Sequence, residues 1–510
     1  MRKFIKPFFS KKIFGILFFV IQLVILAMPA MGLYDSNMFI NGGMKVVACL
    51  LIIYEINRES DSGFKLIWIA LMAIVPLFGI FLYIYVHMDL LTTGIRKHLG
   101  ELDIKSKKYV EKMPSPSQIV GKEDNAEYGI FNYLCNTANS PCFDCSHIKY
   151  FDIGEKMYES LLEDLKNAKK YIFLEFYIIN EKDMMWQTVF EILKEKASCG
   201  VEVRLMYDAM GSLISTSKDF ADDVTNAGIK CSPFSPVKPF VSTYHNNRDH
   251  RKMVIIDGRC AYTGGINLAD EYINKKERFG HWKDTAIRIE GEGVRGFLLM
   301  YFRIWNLMQR SYDDYKSYLD AVPQKEHTGG YLAAFDDTPM DTETVTRNVY
   351  LHMINTAKDY VYISTPYLIL DDGLLHALTF AAKRGIDVRI LMPHIPDKWY
   401  AFALARTYYP ELIRAGVRIY EYTPGFLHAK STVSDSLRAY VGSANYDYRS
   451  LFLHYECGVY IYKNPAVEEI AEDFRKTLEK SELFTYEDYK KLNLFYRLTG
   501  RVFRFFASLM

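Results

Sequence analysis

The sequence predicts an α/β protein made of two tandem, similar lobes with mixed, mainly parallel sheets, packed with a pseudo-twofold relation and preceded by N-terminal transmembrane helices. Two observations predict the lobes. Strand-like segments alternate with helical segments after about residue 120, and the same segments recur in the same order in the second half of the chain. Strands that alternate with helices form βαβ units and mainly parallel sheets. A third observation, long uncharged stretches near the N-terminus, predicts the membrane helices.

The N-terminal apolar segments are long enough to cross a bilayer. Residues 13–32 and 66–86 carry no charge, and a helix over either range would span about 30 Å of hydrocarbon. A third span over 39–56 is an alternative, although Lys45 and Glu55 interrupt it. A cleaved signal peptide is the other interpretation of 13–32, but its long apolar run and the hydrophobic sequence that follows favour an uncleaved anchor.

Basic residues flank the apolar segments on both sides. Five precede the first segment: Arg2, Lys3, Lys6, Lys11 and Lys12. More follow residue 86, so two spans would place both flanks in the cytoplasm, whereas three would place the rest of the chain outside. We expect cytoplasmic lobes. The predicted organisation is an anchor over 1–88, a linker over 89–120, a first lobe over 121–320, a second lobe over 321–490 and an amphipathic C-terminal segment over 491–510.

An internal repeat accounts for the two lobes. NAKKYIFLEFYII (167–179) is similar to TAKDYVYISTPYLI (356–369), and GVEVRLMYD (200–208) to GIDVRILMP (385–393). AGIKCSPFSP (227–236) and YTGGINLADEY (262–272) have counterparts in AGVRIYEYTP (415–424) and YVGSANYDYRS (440–450). A solenoid repeat would have a period of roughly 20 to 50 residues, so these matches indicate duplication of a whole domain.

Each half contains one H-x-K-x-x-x-x-D triplet. NNRDHRKMVIIDGR supplies His250, Lys252 and Asp257, and FLHAKSTVSD supplies His428, Lys430 and Asp435. In an extended segment, side chains two residues apart lie on one face, so each His and Lys can address the same anionic group. We expect the two lobes to bring both triplets to a shared cleft.

Two histidines that face one phosphorus suit a double displacement. A neutral imidazole can attack phosphorus to form a phosphohistidine, while a protonated one gives its proton to the departing alkoxide. Lys252 and Lys430 can neutralise charge on the non-bridging oxygens. This scheme requires no metal or cofactor, and the sequence predicts none.

Further polar residues are candidates for support. Asp284 and Glu456 could orient the histidine of the opposite lobe, or they could be surface carboxylates. Asn267 and Asn445, with the glycines before them, could donate hydrogen bonds to a phosphate, although a tight turn explains the glycines equally well. The triplet aspartates could instead cap the turns after their strands.

Composition excludes some classes of protein. The formal net charge is +1 with 24% charged residues, so the basic footprint of a nucleic-acid-binding protein is missing. The eight cysteines are too scattered for a disulfide scaffold. Cys142 and Cys145 form a C-x-x-C, but no second ligand pair stands at a zinc-finger spacing, which favours ordinary loop cysteines.

The paired triplets, each followed by G-G/S-x-N, resemble the phospholipase D superfamily. A longer motif set is similar to bacterial cardiolipin synthases: NxRxHRKxxxxDG, YTGGxNxxDEY, WKDT, TPYLIxD, IPDK, EYTPGFLHAK and DYRS. The departures are small, with Asp249 where the family pattern has Asn and Ser443 where it has Thr. Neither removes a reacting group.

The resemblance implies two phospholipase D-like lobes, with both triplets catalytic, His250 as nucleophile and His428 as acid. It also implies transfer of a phosphatidyl group between two phosphatidylglycerol molecules at the bacterial cell membrane, with release of glycerol, by a multi-pass protein. Alternatives are a membrane-bound hydrolase of the same superfamily, transfer to another alcohol, and a non-catalytic scaffold. The sequence leaves the oligomeric state open.

Overall fold

The computed structural model describes residues 38–87, 90–121, 124–144, 146–235, 246–324 and 329–509. The chain forms two compact units. Of the described residues, one unit comprises 38–87, 90–93 and 505–509, and the other comprises the described residues between 94 and 504.

Three N-terminal helices belong to the first unit: α1 (Met38–Asn57), α2 (Ser62–Ile74) and α3 (Pro76–His87). The prediction of one continuous helix over 66–86 is wrong, because the chain breaks at Val75 between α2 and α3. Pro76 causes the break, since proline has no N–H to donate and disfavours helical backbone in the residue before it. The two helices then pack so tightly that a Cβ on Gly79 would lie 2.7 Å from the Cα of Met72.

Within the part of the chain that is described, no helix is both long enough and apolar enough to cross a membrane. The predicted alternative span over 39–56 corresponds to α1. The predicted span over 13–32 lies outside the described residues.

The remaining helices begin in the linker and continue through both lobes. They are α4 (Leu90–Val110), α5 (Pro116–Ile119), α6 (Asn125–Thr137), α7 (Gly154–Lys166), α8 (Met184–Ser198), α9 (Phe220–Asn226), α10 (Val294–Gln309), α11 (Lys316–Asp320), α12 (Val345–Thr356), α13 (Asp372–Lys383), α14 (Trp399–Ala405), α15 (Tyr409–Ala415), α16 (Ala466–Leu478), α17 (Tyr486–Lys491) and α18 (Leu494–Phe505).

Twenty strands are described. They are β1 (Cys142–Phe143), β2 (Ser146–Phe151), β3 (Tyr171–Phe176), β4 (Glu202–Asp208), β5 (Lys230–Phe234), β6 (Met253–Ile256), β7 (Cys260–Gly264), β8 (His281–Lys283), β9 (Ala286–Gly291), β10 (Tyr331–Asp337), β11 (Tyr360–Ser364), β12 (Leu368–Ile369), β13 (Asp387–Pro393), β14 (Arg418–Tyr422), β15 (Gly425–Leu427), β16 (Ser431–Ser434), β17 (Arg438–Gly442), β18 (Tyr446–Asp447), β19 (Glu456–Tyr462) and β20 (Ser481–Phe484).

Two large sheets have the same strand order. The first runs β2-β9-β7-β6-β3-β4-β5, and the second runs β10-β19-β17-β16-β11-β13-β14 with β1 and β20 added at its edges. This correspondence confirms two related lobes of mixed α/β structure. Both lobes lie in the larger compact unit, and β1 comes from the range predicted for the first lobe but pairs in the second sheet.

The sheets are mixed, but the prediction that they are mainly parallel is wrong. Only β3-β4 and β4-β5 are parallel in the first sheet, and only β11-β13 and β13-β14 in the second. Each parallel pair is joined by a crossover that contains a helix. The other neighbours are antiparallel, including β6-β7, which is joined by a short turn.

Short parallel pairings also connect the two lobes. Strand β8 of the first lobe pairs with β15 of the second, and Asp249 of the first lobe bridges to Tyr455 of the second. Each lobe therefore receives a short segment from the other. This reciprocity is the exchange expected of the predicted pseudo-twofold packing.

Apolar side chains form the core of the first lobe between its central strands and helices α7 and α8. They include Leu161, Leu165, Ile172, Leu174, Val189, Leu193, Val203, Leu205, Val254 and Ile256. Helix α10 is almost wholly buried because it packs against strands of both sheets, among them β6 and β10. The two lobes thus share one continuous interior.

A buried ionic cluster crosses from one sheet to the other. Arg251 is fully buried and pairs with Glu175 on β3, with Asp249 at 3.0 Å and with Asp336 on β10 at 3.6 Å. A buried charge of this kind is tolerated only when it is paired. Arg251 therefore helps to set the relation between the sheets.

We expect Arg251→Ala to lower the free energy of unfolding by about 3–5 kcal/mol, because it leaves buried carboxylates without their cation. The change is measured as a lower denaturant midpoint in chemical unfolding. Arg475→Ala is the matched control: Arg475 pairs with Glu468 on the exposed surface, so its loss should cost less than about 1 kcal/mol. Equal midpoints for the two variants would contradict this role of Arg251.

Candidate functional site

The two H-x-K pairs lie at equivalent points of the two sheets. His250 and Lys252 immediately precede β6, and His428 and Lys430 immediately precede β16. All four side chains are buried. The sequence repeat therefore places the same two residue types at the entrance to the same strand of each lobe.

Each imidazole is hydrogen-bonded by a carboxylate from the opposite lobe. His250 Nδ1 lies 2.9 Å from Oε1 of Glu456, and His428 Nδ1 lies 2.6 Å from Oδ2 of Asp284. Both carboxylates are fully buried. Because Nδ1 of each ring is occupied, Nε2 is the nitrogen left for chemistry.

Backbone pairing between the lobes sets this geometry. The N–H of His250 donates to the carbonyl of Tyr455 at 2.9 Å, and the N–H of His428 donates to the carbonyl of Lys283 at 2.7 Å. The residue after each acceptor is the carboxylate that binds the imidazole. Each short exchanged segment therefore delivers one orienting carboxylate.

The glycine-rich segments hold the carboxylates. A Cβ on Gly265 would lie 2.1 Å from Oδ1 of Asp284, so only glycine leaves room for that carboxylate. The equivalent residue in the second lobe is Ser443, whose hydroxyl donates to Oε2 of Glu456. The N–H of Thr285 completes the set by donating to Oδ1 of Asp284 at 2.8 Å. These segments therefore support the orienting carboxylates, and their donation to a phosphate stays a prediction.

The lysines point back to their own histidines. Nζ of Lys252 donates to the carbonyl of His250, and Nζ of Lys430 donates to the carbonyl of His428. Lys252 also lies 5.3 Å from the ring centroid of Tyr177, which meets the His250 ring edge-on at 4.8 Å. Each lysine is thereby held beside the imidazole with which it would share an anion.

The two asparagines form hydrogen bonds with neighbouring residues, and none of these bonds is to His250, Lys252, His428 or Lys430. Asn267 accepts from the N–H of Ile178 at 3.0 Å and donates to the hydroxyl of Tyr272 at 2.7 Å. Asn445 donates to Asp447 at 3.0 Å, and its Oδ1 is buried with no hydrogen-bond partner among the described residues. An amide oxygen only accepts hydrogen bonds, so this atom cannot donate to a phosphate, and contact of either asparagine with a phosphate stays a prediction.

The inclusion of Asp257 and Asp435 in the reacting set is corrected by the structure. Asp257 lies at the far end of β6, roughly 16 Å along the chain from Lys252. It accepts backbone hydrogen bonds from residues 169, 170 and 171 at 2.7 to 2.8 Å, and Asp435 accepts from residues 358, 359 and 360 at 2.9 to 3.0 Å. Both have a positive φ of 56°, which aspartate tolerates in a turn. These aspartates fasten the turn after each strand to the start of the neighbouring strand.

Aromatic residues form a wall around His428 that sequence reasoning did not identify. The rings of Tyr272, Trp282 and Phe426 lie 5.4, 5.4 and 5.7 Å from the His428 ring. Trp282 lies two residues before Asp284 and Phe426 two residues before His428, and this proximity in sequence is the signal that could have identified them. These rings help to bury the His428 side chain, which is 8% exposed.

His454 was also missed, although it stands two residues before Glu456 in HYECG. Its ring lies 5.5 Å from the ring of His250, and its Nδ1 lies 3.8 Å from Oε1 of Glu456. His250, His454 and Glu456 each offer one ligand atom, and these atoms lie within 4.8 Å of one another, so a small divalent cation could bind them. The ammonium of Lys252 opposes a cation there, and the bond from His250 to Glu456 suits an orienting role.

Comparisons with known proteins identify the family. A family profile described as "Cardiolipin synthase, PLD-like domain" matches residues 161–282 and 350–478. A cardiolipin synthase from Halalkalibacterium halodurans is 32% identical over 516 residues, covering 96% of this chain and 99% of its own. The chain belongs to the cardiolipin synthase family. This confirms the resemblance given by the motifs.

Other relatives agree with membership of the cardiolipin synthase family. Cardiolipin synthase 2 from Bacillus anthracis is 34% identical over 461 residues, covering 90% of this chain and 89% of its own. An uncharacterized Streptococcus mutans protein is 42% identical over 463 residues, covering 90% of this chain and 99% of its own. The crystal structure of phosphatidylserine synthase from Haemophilus influenzae has a TM-score of 0.55 at 15% identity, covering 75% of this chain and 98% of its own, so it shares the fold.

The site of this cardiolipin synthase family member buries four basic side chains. Burial lowers the pKa of Lys252 to about 8 and that of Lys430 to about 7, to which the nearby charge of Lys252 contributes. Burial, followed by the charge of Lys430, lowers the pKa of His428 to about 4. Burial also lowers the pKa of His250 well below its ordinary value. Because the charge of Lys252 acts on Lys430 and His428, the two triplets occupy one electrostatic environment.

An anion would reverse these shifts. Burial alone would raise the pKa of Glu456, but its contacts with His250, His454 and Lys252 outweigh burial and keep the pKa of that carboxyl well below its usual range. The carboxylate can therefore accept Nδ1–H from a neutral ring. A phosphodiester between the lysines would favour their charged forms, since opposite charge raises the pKa of a base.

We expect binding of a phosphodiester to take up protons above neutral pH. At pH 8.5 both lysines and His428 are largely neutral in the free site and charged in the complex, so about two to three protons should bind with the ligand. Affinity should then fall as pH rises, by up to about tenfold per unit for each proton, whereas at pH 6 the lysines are already charged and only about one proton, that of His428, should bind. Calorimetry of soluble short-chain phosphatidylglycerol in buffers with different ionisation enthalpies measures this uptake.

Lys430→Arg provides the control for proton uptake, because arginine remains charged and should remove about one proton from the linkage. The exposed substitution Lys166→Arg should leave it unchanged. Buffer-independent heats at pH 8.5 in the wild-type protein would contradict the linkage.

We expect Asp257→Ala to destabilise the fold by about 2–4 kcal/mol, because three backbone donors lose a charged acceptor. Asp257→Asn keeps one acceptor and tolerates the left-handed turn, so it should lose less. Thermal unfolding measures both, together with turnover per folded molecule, which should stay near the wild-type value. A stable but inactive Asp257→Ala protein would instead return Asp257 to the chemistry.

Proposed function

We propose that this protein is a cardiolipin synthase: it transfers the phosphatidyl group of one phosphatidylglycerol to another, giving cardiolipin and glycerol. One observation carries the proposal. Two imidazoles from different lobes are each oriented by a buried carboxylate of the opposite lobe, beside two buried lysines. The family of the chain supports the same reaction.

The first half-reaction forms a covalent intermediate. Nε2 of His250 attacks the phosphorus of the donor lipid, a P–N bond forms, and the P–O bond to glycerol breaks. His428, protonated when the anionic substrate binds, gives its proton to the departing oxygen. Lys252 and Lys430 balance the charge on the non-bridging oxygens. Family analogy supplies the assignment of His250 as nucleophile.

The second half-reaction reverses the roles. A hydroxyl of the second phosphatidylglycerol loses its proton to neutral His428 as it attacks phosphorus, the P–N bond breaks, and His250 is regenerated. Water must be kept from the phosphohistidine, or hydrolysis would give phosphatidic acid. The aromatic wall of Tyr272, Trp282 and Phe426 beside His428 supports that exclusion.

The substrates place this reaction at the bacterial cell membrane, and we propose that the protein is located there with its lobes in the cytoplasm. The uncharged segment 13–32 is the proposed anchor. Anchoring confines the site to the surface in which both lipids are concentrated, which raises the frequency of encounter.

The test is a lipid-product assay. Purified full-length protein is given phosphatidylglycerol, and products are identified by mass spectrometry. We expect cardiolipin and glycerol in equal amounts. Phosphatidic acid as the main product would replace the proposal with a hydrolase, and a preferred product with added serine or ethanolamine would replace it with transfer to another alcohol.

The histidine variants tie the products to the site. His250→Ala and His428→Ala should each reduce cardiolipin formation at least about a hundredfold while melting near the wild-type temperature. His147→Ala removes an exposed histidine and should be fully active. Undiminished turnover in either active-site variant would contradict the assignment, and a wild-type protein without turnover would indicate the scaffold.

A further inference from the structure

Helix α18 has two apolar faces, and the described part of the chain covers only one of them. Gly500 lies against α14 so closely that a Cβ there would be 2.4 Å from the carbonyl oxygen of Ala403. Phe503, one turn later on the same face, meets the rings of Trp399 and Tyr400 at 6.1 and 6.2 Å. This face fixes the helix to the second lobe.

The other face of α18 consists of large apolar side chains in solvent. Leu494, Phe495, Leu498 and Val502 are 66%, 75%, 50% and 59% exposed. Leu498 is four residues from Leu494 and Val502 and three from Phe495, which places the four side chains on one side of the helix. A helix that only had to pack on the lobe would carry polar residues here, so this face requires a second apolar environment.

The charges beside the exposed stripe select the environment. Arg501 is exposed beside this stripe. Arg497 stacks on the ring of Tyr489, and Arg504 lies over the ring of Tyr408, so these two arginines also hold the helix to the lobe. Lys398 is exposed next to Trp399, which is itself exposed and can place its ring at a membrane interface. An apolar stripe with a cationic flank and an aromatic neighbour matches a bilayer that contains anionic lipid.

The covered face of α18 connects this surface with the catalytic cleft. Helix α14, on which α18 packs, supplies Phe402 to a narrow pocket that is also lined by Phe426. The ring of Phe426 lies 4.8 Å from that of Trp282 and 5.7 Å from that of His428. The exposed stripe and the reacting imidazole are therefore separated by one helix and one aromatic wall.

We propose that the exposed face of α18, with Trp399 and Tyr400, docks on the surface of an anionic bilayer and brings the cleft at His428 to its lipid substrates. The inference deepens the proposed function, because it assigns the surface through which the same site reaches lipid. It is separate from the anchor over 13–32, since docking orients the lobes and an anchor only retains them.

Photolabelling tests the docking directly. Full-length protein is reconstituted in vesicles of phosphatidylcholine and phosphatidylglycerol that contain a lipid with a photoreactive acyl chain, and labelled peptides are mapped. We expect label in 494–504, less of it in phosphatidylcholine alone, and none at the exposed Phe380 of α13. Label confined to the N-terminal segment, or crosslinks between α18 helices of two copies, would overturn the proposal.

Turnover of two substrates supplies the second test. Leu498→Glu with Val502→Glu should slow turnover of phosphatidylglycerol in vesicles at least about tenfold, because two apolar contacts with the bilayer are lost. Turnover of short-chain phosphatidylglycerol dissolved as monomers should stay within about twofold. The matched variant Phe380→Glu should change neither rate.

The outcomes separate the two proposals. Equal losses on both substrates, or no loss on either, would overturn the docking surface. Label in α18 without cardiolipin from either substrate in the wild-type protein would leave the docking surface standing and reject the proposed reaction.

Discussion

The hydrogen bonds that cross between the lobes are the constraint on which the site depends. Neither lobe contains a complete pair of imidazole and carboxylate, because His428 is oriented by Asp284 and His250 by Glu456. A relative shift of the lobes would break both bonds. Each carboxylate would then remain buried without its imidazole partner, which is energetically unfavourable. The parallel pairing of β8 with β15, the helix α10 packed against both sheets and the buried Arg251 cluster all oppose such a shift. These contacts between the lobes therefore maintain the two short hydrogen bonds from His250 to Glu456 and from His428 to Asp284.

The duplicated architecture and the reacting pairs could be predicted from the sequence because both are recognisable in short segments of the chain. Matching segments in the same order implied matching lobes, and H-x-K places two side chains on one face of any extended segment. The direction of strand pairing is not local, so the parallel content was overestimated from the alternation of strands and helices. The resemblance implied a catalytic role for Asp257 and Asp435, whereas the residues alone also allowed them to cap the turns, because spacing along the chain does not tell which way a side chain faces after a strand ends. Their positive φ and backbone partners became evident only in the structure.

The segment 66–86 shows how composition and backbone can disagree. Its side chains are uniformly apolar, which predicts one continuous membrane helix. Hydropathy does not register the missing N–H of Pro76, and the structure has two shorter helices whose backbones approach at Gly79. At the site, a missing atom again determines the structure, here the Cβ that glycine lacks. Gly265 was considered as a donor to phosphate, but its missing Cβ makes room for the carboxylate that orients His428.

The near-symmetry of the site fits a reaction that runs through two similar steps. Under the proposed transfer, the departing group and the acceptor are both alcohols, so the histidine that protonates the first oxygen must deprotonate an oxygen of similar basicity in the second step. Two matched pairs of imidazole and carboxylate suit that reversal better than one strong acid and one strong base. The environments differ at several equivalent positions, and one of them lies beside the reacting rings: Trp282 precedes Asp284 by two residues beside His428, and His454 precedes Glu456 by two residues beside His250. Under the proposed assignment, the aromatic wall would keep water from the place where alcohols exchange, and a polar neighbour would suit the ring that carries the phosphoryl group. Because duplication alone would have made the two sides alike, we propose that this difference contributes to the division of labour between the two histidines.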